Sequence, residues 1–186
     1  MDRNIFIPVI IGTTRKGRLS ENVGKFVYEE TKKKQGAKTE LIDVLKIDLA
    51  MDDAGEQIKD SYFSEIIDKA DGLIIVAPEY NHGYPGMLKH LIDTNLKEYI
   101  HKAVGICGVS SGSFGGTRVI ENLLPVMREV GLVTIFWDMN FSKAGQLFDS
   151  DGKILDNAYY RRFDKFINEL IWMAKTLRYG RENISQ

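Results

Sequence analysis

The feature that most constrains this chain is an alternation: short apolar runs of strand length, each followed by a longer segment with helical spacing. The runs at residues 5–11, 39–44, 73–77, 104–109 and 132–136 are rich in Ile, Val and Leu, and those at 73–77 and 104–109 lack the in-out alternation of a half-solvated strand. Between them apolar residues recur every three or four positions. Val23, Phe26, Val27 and Thr31 form one stripe, and Ile58, Tyr62, Ile66 and Ala70 a second. Met87, Leu88, Leu91 and Ile92 form a third, and Val119, Ile120, Leu123, Leu124, Met127 and Val130 a fourth. A last stripe, Phe163, Phe166, Ile167, Leu170, Ile171, Ala174 and Leu177, predicts a long closing helix with Arg161, Arg162, Lys165 and Lys175 mainly off its apolar face.

Strands buried on both faces need helices on both sides, and parallel crossovers supply them. The expected fold is α/β, a three-layer α/β/α sandwich around a five-stranded parallel sheet, with the flavodoxin-like order 2-1-3-4-5 as its simplest arrangement. At 186 residues, one domain over residues 1–186 suffices to bury such a core. Pro8 conflicts locally with a central first strand, because proline donates nothing to a ladder; pairing is expected to become regular only after it.

A formal net charge of −1 with 44% hydrophobic and 27% charged residues excludes a dominant nucleic-acid or membrane field, so neither partner is expected. Residues 1–4 lead straight into a strand, with neither signal peptide nor spanning helix, which makes the cytoplasm the expected compartment. Cys107, the sole cysteine, has no internal disulfide partner and an apolar neighbourhood, the setting of an inert buried thiol.

In an open parallel sheet, ligands bind beyond the carboxyl ends of the strands. Three stretches there are loop-like. Residues 12–22, opening Gly12-Thr13-Thr14-Arg15 and continuing to Arg18 and Ser20, combine a tight-turn glycine, hydroxyls and cations beside a helix start, which favours an anion. The same stretch accommodates Ser20 as an N-cap and Glu21 as a first-turn acid. It lacks the Gly-x-x-x-x-Gly-Lys-Ser/Thr and Gly-x-Gly-x-x-Gly patterns, so neither a nucleoside-triphosphate loop nor a dehydrogenase-type dinucleotide fold is expected. Residues 77–93 hold Pro78, Glu79, Tyr80, Asn81, Gly83, Pro85 and Gly86 between a buried strand and a helix. Residues 110–116, Ser-Ser-Gly-Ser-Phe-Gly-Gly, let a flat ligand approach backbone closely. The order 2-1-3-4-5 brings all three to one edge.

Gly108-Val109-Ser110-Ser111-Gly112 also fits the Gly-x-Ser-x-Gly elbow of serine hydrolases. That fold places its acid and then its histidine after the serine, whereas His82, His90 and His101 all precede Ser110, so the hydrolase reading is set aside. The histidine spacing suits no metal site, and none is expected; His82 alone falls in the candidate pocket.

Together these loops resemble the NAD(P)H-dependent FMN reductases with a flavodoxin-like fold, a family that includes quinone, azo-dye and chromate reductases. The family's Gly-Ser/Thr-x-Arg loop is similar to Gly12-Thr13-Thr14-Arg15. Its Pro-Glu-Tyr-Asn…Pro-Gly-x-Leu-Lys-x-x-Ile-Asp signature is matched by Pro78, Glu79, Tyr80 and Asn81 and by residues 85–93, and its Gly-rich third loop by residues 110–116. The spacing from Arg15 to Ser20 is longer than in many members.

The resemblance implies bound FMN, with Thr13, Thr14, Arg15, Arg18 and Ser20 at its phosphate. Pro78, Glu79, Tyr80, Asn81, Ser110, Ser111, Gly112 and Ser113 would border the isoalloxazine, largely through backbone groups. It further implies an oxidoreductase passing electrons from NADH or NADPH to quinone-like, flavin or similar small acceptors by a ping-pong cycle, with no catalytic side chain. The alternative, an FMN electron carrier or redox sensor without significant turnover, calls for a strongly acidic docking surface that the net charge does not favour. A homodimer or homotetramer is implied, with Tyr84 or an aromatic among Trp137, Phe141 and Phe148 near the neighbour's flavin.

Overall fold

A computed structural model of the chain describes residues 4–51 and 58–184. The sequence expectation about the amino terminus therefore falls partly outside the described residues. The strands are β1 (Ile5–Phe6), β2 (Val9–Ile11), β3 (Ala37–Lys38), β4 (Leu41–Asp43), β5 (Gly72–Pro78), β6 (Lys102–Val109), β7 (Leu132–Thr134) and β8 (Met139–Phe141). The main sheet runs β4-β2-β5-β6-β7, with β8 also on β6, and every pairing is parallel. Read as five strand positions, this is the expected order 2-1-3-4-5.

Pro8 divides the first position. Before it, β1 pairs with β3; after it, β2 pairs with both β4 and β5, starting at Val9↔Ile74. The Phe6 N–H on the β5 side is met by the Asp71 carboxylate at 3.0 Å, while the Pro8 carbonyl accepts from Ile74 N–H at 2.9 Å. The ladder thus becomes regular just past the residue that cannot donate.

The fifth position departs from expectation. The strand stops at Thr134 rather than running to residue 136; Ile135 N–H still reaches Val104 O, and then the chain bulges, leaving Phe136 80% exposed. β8 returns to pair with the upper half of β6. Its Met-Asn-Phe, with Asn140 exposed between two buried residues, is too short and too mixed to read as a buried strand.

Among the described residues five α-helices complete the layers: α1 (Ser20–Lys32), α2 (Ser61–Lys69), α3 (Gly86–Asp93), α4 (Thr117–Glu129) and α5 (Ala158–Asn183). Side chains of β5 alternate between two cores. Ile74 and Val76 join α1 and α5, whereas Leu73, Ile75 and Ala77 join α2, α3 and α4. Each fully buried Ile, Val or Phe contributes about 1.5–3 kcal/mol relative to exposure. In α2 the buried residues are Phe63, Ile66 and Ile67, and Ala70 just beyond it is buried too; of the predicted stripe Ile66 and Ala70 face the core, but Tyr62 is exposed with its hydroxyl on Glu40 and Phe63 takes its place. Asp60 caps the start of α2 by accepting from Phe63 N–H at 2.7 Å. Cys107 is fully buried and burial pushes its thiol pKa up, as an inert core thiol requires. No helix among the described residues is long and apolar enough to cross a membrane.

Candidate functional site

Beyond the carboxyl ends of β2, β5 and β6 lies a cleft of about 360 Å³. It is lined by Arg15, Lys16, Gly17, Arg18 and Leu19 from the first loop, Pro78, Glu79 and Tyr80 from the second, and Val109, Ser110 and Ser111 from the third. The three loops singled out in the sequence do meet.

The first loop leaves β2 at Gly12, whose N–H donates to Val76 O at 2.9 Å; a Cβ there would stand 2.8 Å from Leu88 Cδ2, so any larger residue would have to displace the Leu88 side chain. Thr13 is buried, and its hydroxyl shares a 3.0 Å hydrogen bond with Tyr80 OH while accepting from Arg15 N–H at 3.3 Å. The Arg15 side chain is exposed and lies over the Tyr80 ring, 5.5 Å from its centroid. Arg18 is placed differently. Its guanidinium, 5% exposed, forms a two-pronged ion pair with Asp43 at the end of β4 and donates to the Thr13 carbonyl. Asp43 holds Arg18 more firmly charged than an ordinary arginine.

Ser20 is the first residue of α1 rather than its cap. Leu19 stands at the cap position, no side chain caps the helix, and the fully buried Ser20 hydroxyl has no hydrogen-bond partner. The capping role considered for Ser20 therefore fails, because the serine lies one residue too far into the helix to turn its oxygen back on the free amides. Glu21 is a first-turn acid as expected, paired with Lys25 at 2.8 Å.

In the second loop Tyr80 and Gly83 exchange two backbone hydrogen bonds of 2.9 Å around Asn81 and His82, whose φ values of 49° and 67° make a left-handed pair. This is the geometry of a type I′ turn, which Asn tolerates better than most residues. The turn is fastened to α4: Asn122 Nδ2 donates to His82 O at 2.9 Å, and Arg118 donates to Glu79 Oε1 at 3.2 Å while its guanidinium covers the Phe114 ring at 4.8 Å. Glu79 Oε2 is buried without a partner.

Backbone contacts hold the third loop. Ser110 N–H donates to Phe141 O at 3.1 Å, Ala144 N–H to Ser110 O at 3.0 Å and Lys143 N–H to Gly112 O at 2.8 Å. Gly116 has φ 78°, and a Cβ on it would stand 2.5 Å from Val109 N. Ser111, Gly112 and Ser113 are exposed. Ser110 Oγ donates to Gly112 O at 3.1 Å, and six further loop residues separate Ser110 from α4 at Thr117, so the strand does not turn directly into a helix as a nucleophile elbow does.

Arg15, Arg18, Pro78, Glu79, Tyr80, Ser110 and Ser111 thus line the cleft; Thr13 adjoins it through Tyr80; Thr14, Ser20, Asn81, Gly112 and Ser113 lie outside the lining. His82 is exposed in its turn and does not line the cleft either. Asp43 and Arg118 were absent from the sequence reading. Asp43 had one available signal: it ends the strand that neighbours β2, which places it beside the first loop.

The family model described as NADPH-dependent FMN reductase matches residues 6–146. Among curated relatives, an NAD(P)H-dependent FMN reductase of Schizosaccharomyces pombe is 35% identical over 120 residues, 59% of each chain. The NADPH azoreductase of Bacillus sp. (strain OY1-2) is 28% identical over 62% of this chain and 64% of its own, so the match spans about three-fifths of these relatives' length. Among solved structures, the flavoenzyme NAD(P)H:(acceptor) oxidoreductase of Paracoccus denitrificans superposes with a TM-score of 0.76 at 21% identity, covering 92% of this chain and 98% of that one. A flavodoxin from the Archaea shares the fold at a TM-score of 0.57, 9% identity and coverage of 94% and 99%.

Proposed function

Because the chain belongs to the NADPH-dependent FMN reductase family, we propose that it is an FMN-dependent oxidoreductase. It would take electrons from NADH or NADPH and pass them, in a ping-pong cycle, to quinone-like, flavin or similar small oxidants. The carrying observation is the single cleft with exposed cations, Arg15 and Lys16, on one loop and the backbone-rich Pro78, Glu79 and Tyr80 turn and Ser110 and Ser111 on the others.

The residues present fit FMN. A Cβ on Gly17, which lines the cleft, would meet nothing within 4 Å, which leaves room for a ligand against the first loop. The start of α1 adds free amides that favour an anion, and Ser20 brings an unpartnered hydroxyl to the same turn. Arg15 and Lys16 supply the charge for the phosphate. The amides of Glu79, Tyr80 and Ser110 are engaged within the loops, so among the cleft-lining residues of the second and third loops it is Ser111 that would offer an amide toward the ring. When bound, FMN supplies the two-electron chemistry, accepting a hydride from the nicotinamide and returning the electrons to an acceptor. The chain's own part is to hold and orient: the Thr13–Tyr80 bond ties the phosphate loop to the ring platform, and Pro78, Val109 and Leu19 give the cleft its apolar lining. No side chain is assigned as a proton donor or base.

The same proposal includes a single FMN-binding domain over residues 1–186, a cytoplasmic location and a homodimer or homotetramer. Half-buried Tyr84 and exposed Phe114 and Trp137 support a subunit contact near the cleft, whereas Phe141, fully buried and stacked on Tyr159 at 5.0 Å, is withdrawn from it. The visible spectrum under anaerobic conditions is the test. FMN should bind near micromolar, bleach on NADH or NADPH, and recover on a quinone. Protein that binds no FMN sinks the proposal, and binding without nicotinamide oxidation converts it to an electron carrier. Light scattering at micromolar concentration should give at least a dimer mass.

A further inference from the structure

Arg18 keeps its side chain largely covered, 5% exposed, in a loop that exposes its other cations, and its hydrogen bonds are directed inward. Nη1 donates to Asp43 Oδ1 at 2.7 Å and to the Thr13 carbonyl, Nη2 donates to Asp43 Oδ2, and Nε lies 3.7 Å from Glu21 Oε2. Asp43 is itself held: it pairs in register with Ile11, the last residue of β2, and its Oδ1 accepts from Leu45 N–H at 3.0 Å. The carboxylate is therefore a fixed post on the sheet edge, 13% exposed, that the loop grips from outside. Arg18 joins that post to Thr13, closing the loop across its own width. Thr13 in turn receives Arg15 N–H and meets Tyr80 OH, so the chain of contacts runs Asp43, Arg18, Thr13, then Arg15 and Tyr80.

We infer that Asp43 is a positioning residue of the cofactor site: acting through Arg18, it fixes the Thr13-to-Leu19 loop so that Arg15, Lys16 and the loop amides meet the phosphate while Arg18 does not. This rests on the FMN reading of the cleft. Two arguments favour it. A guanidinium already engaged by a carboxylate fork and a carbonyl has to loosen that charge-assisted fork to turn onto an anion, while Arg15 needs only to rotate an exposed side chain. Neutralising Arg18 with Asp43 also restricts the loop's uncompensated charge to its tip, which sets where an anion settles.

Riboflavin, which lacks the phosphate, separates positioning of the phosphate loop from general damage. Titrations of FMN and riboflavin, followed by quenching of flavin fluorescence, are compared for the unmodified protein, Asp43→Asn, Arg18→Gln and the double variant. Each single variant and the double should weaken FMN by a similar factor, about tenfold, because the two residues act as one unit. Riboflavin affinity should change less than about twofold. If Arg18→Gln weakens FMN while Asp43→Asn leaves it unchanged or tightens it, Arg18 is a direct phosphate ligand and the inference falls. Equal losses for riboflavin also overturn it, since the pair would then serve only the fold. Backbone amide exchange keeps the test independent of the cofactor: Asp43→Asn should speed exchange at residues 13–19 and leave residues 110–116 as they are. If the unmodified protein binds neither flavin, the FMN reading fails, and unchanged exchange in the loop would separately refute the latch. Arg18→Lys, which keeps the charge and loses the fork, stands in if Asp43→Asn does not fold.

Discussion

The first and third loops face one another across the cleft and are held by different physics. Side chains hold the first: the Arg18–Asp43 fork, the Arg18 bond to the Thr13 carbonyl, and the Thr13–Tyr80 hydroxyl pair. Main chain holds most of the third, through bonds from Ser110, Lys143 and Ala144 and through Gly116 packed on the backbone of β6, with Asn140 and Thr117 side chains adding local bonds to Gly115 O and Phe114 O. A side-chain clasp is loosened by one substitution or by salt while the fold survives; a backbone clasp yields only to changes that damage the sheet itself. The division suits a site in which an anion is caught at one end and a flat ring is supported at the other.

The largest expected effect breaks the backbone clasp. Gly116→Ala forces a side chain onto a residue at φ 78° and places its Cβ 2.5 Å from Val109 N, so loss of about 3 kcal/mol in thermal or urea unfolding is expected. Gly17→Ala has the same left-handed problem, φ 69°, with open space around it, and should cost only about 1–2 kcal/mol. If the two substitutions cost the same, the loops do not differ as described.

Next comes the cation at the tip. Arg15→Gln should weaken FMN by about 1.5–3 kcal/mol, the worth of a charged hydrogen bond, with riboflavin nearly unaffected and the FMN loss shrinking at high salt. Calorimetric titration at two salt concentrations checks it. A loss shared equally by both flavins would remove Arg15 from the phosphate site. Smaller again is Tyr80→Phe, which deletes one hydroxyl bond between the first and second loops; about 1 kcal/mol of stability should go, with the type I′ turn intact by amide exchange.

These differences mark what a sequence exposes. The sheet was legible because residues 73–77 and 104–109 carry the unbroken apolar runs of strands covered on both faces, and all three loops were legible from their Gly, Pro and Ser content. The Arg18–Asp43 fork was not, since a charge pair spanning 25 positions leaves no local pattern, and a basic residue in a Gly-rich loop reads first as an anion ligand. Adjacent Tyr62 and Phe63 hid which aromatic of α2 is buried: either continues a stripe with Ile66 and Ala70, and Phe63 takes the core while the Tyr62 hydroxyl reaches Glu40 at the surface. Phe136 misled in the same way. β propensity extends the strand through it, but three residues later Met139 takes over the pairing with β6, and the aromatic between them turns outward.

The smallest predicted effect sharpens the comparison from the other side. Ser110 lies in the cleft, follows a strand, and sits within Gly-x-Ser-x-Gly, so in a hydrolase its loss would abolish activity. Here its hydroxyl donates to Gly112 O, two residues away, while its amide and carbonyl carry the longer-range contacts to Phe141 and Ala144. Ser110→Ala keeps both backbone contacts. It should therefore change stability by less than about 0.5 kcal/mol and leave NADPH-dependent quinone reduction within about twofold. A drop of an order of magnitude or more would mean that the third loop acts through a side chain after all, and the contrast between a side-chain-held loop and a backbone-held one would fail at the residue where it is easiest to test.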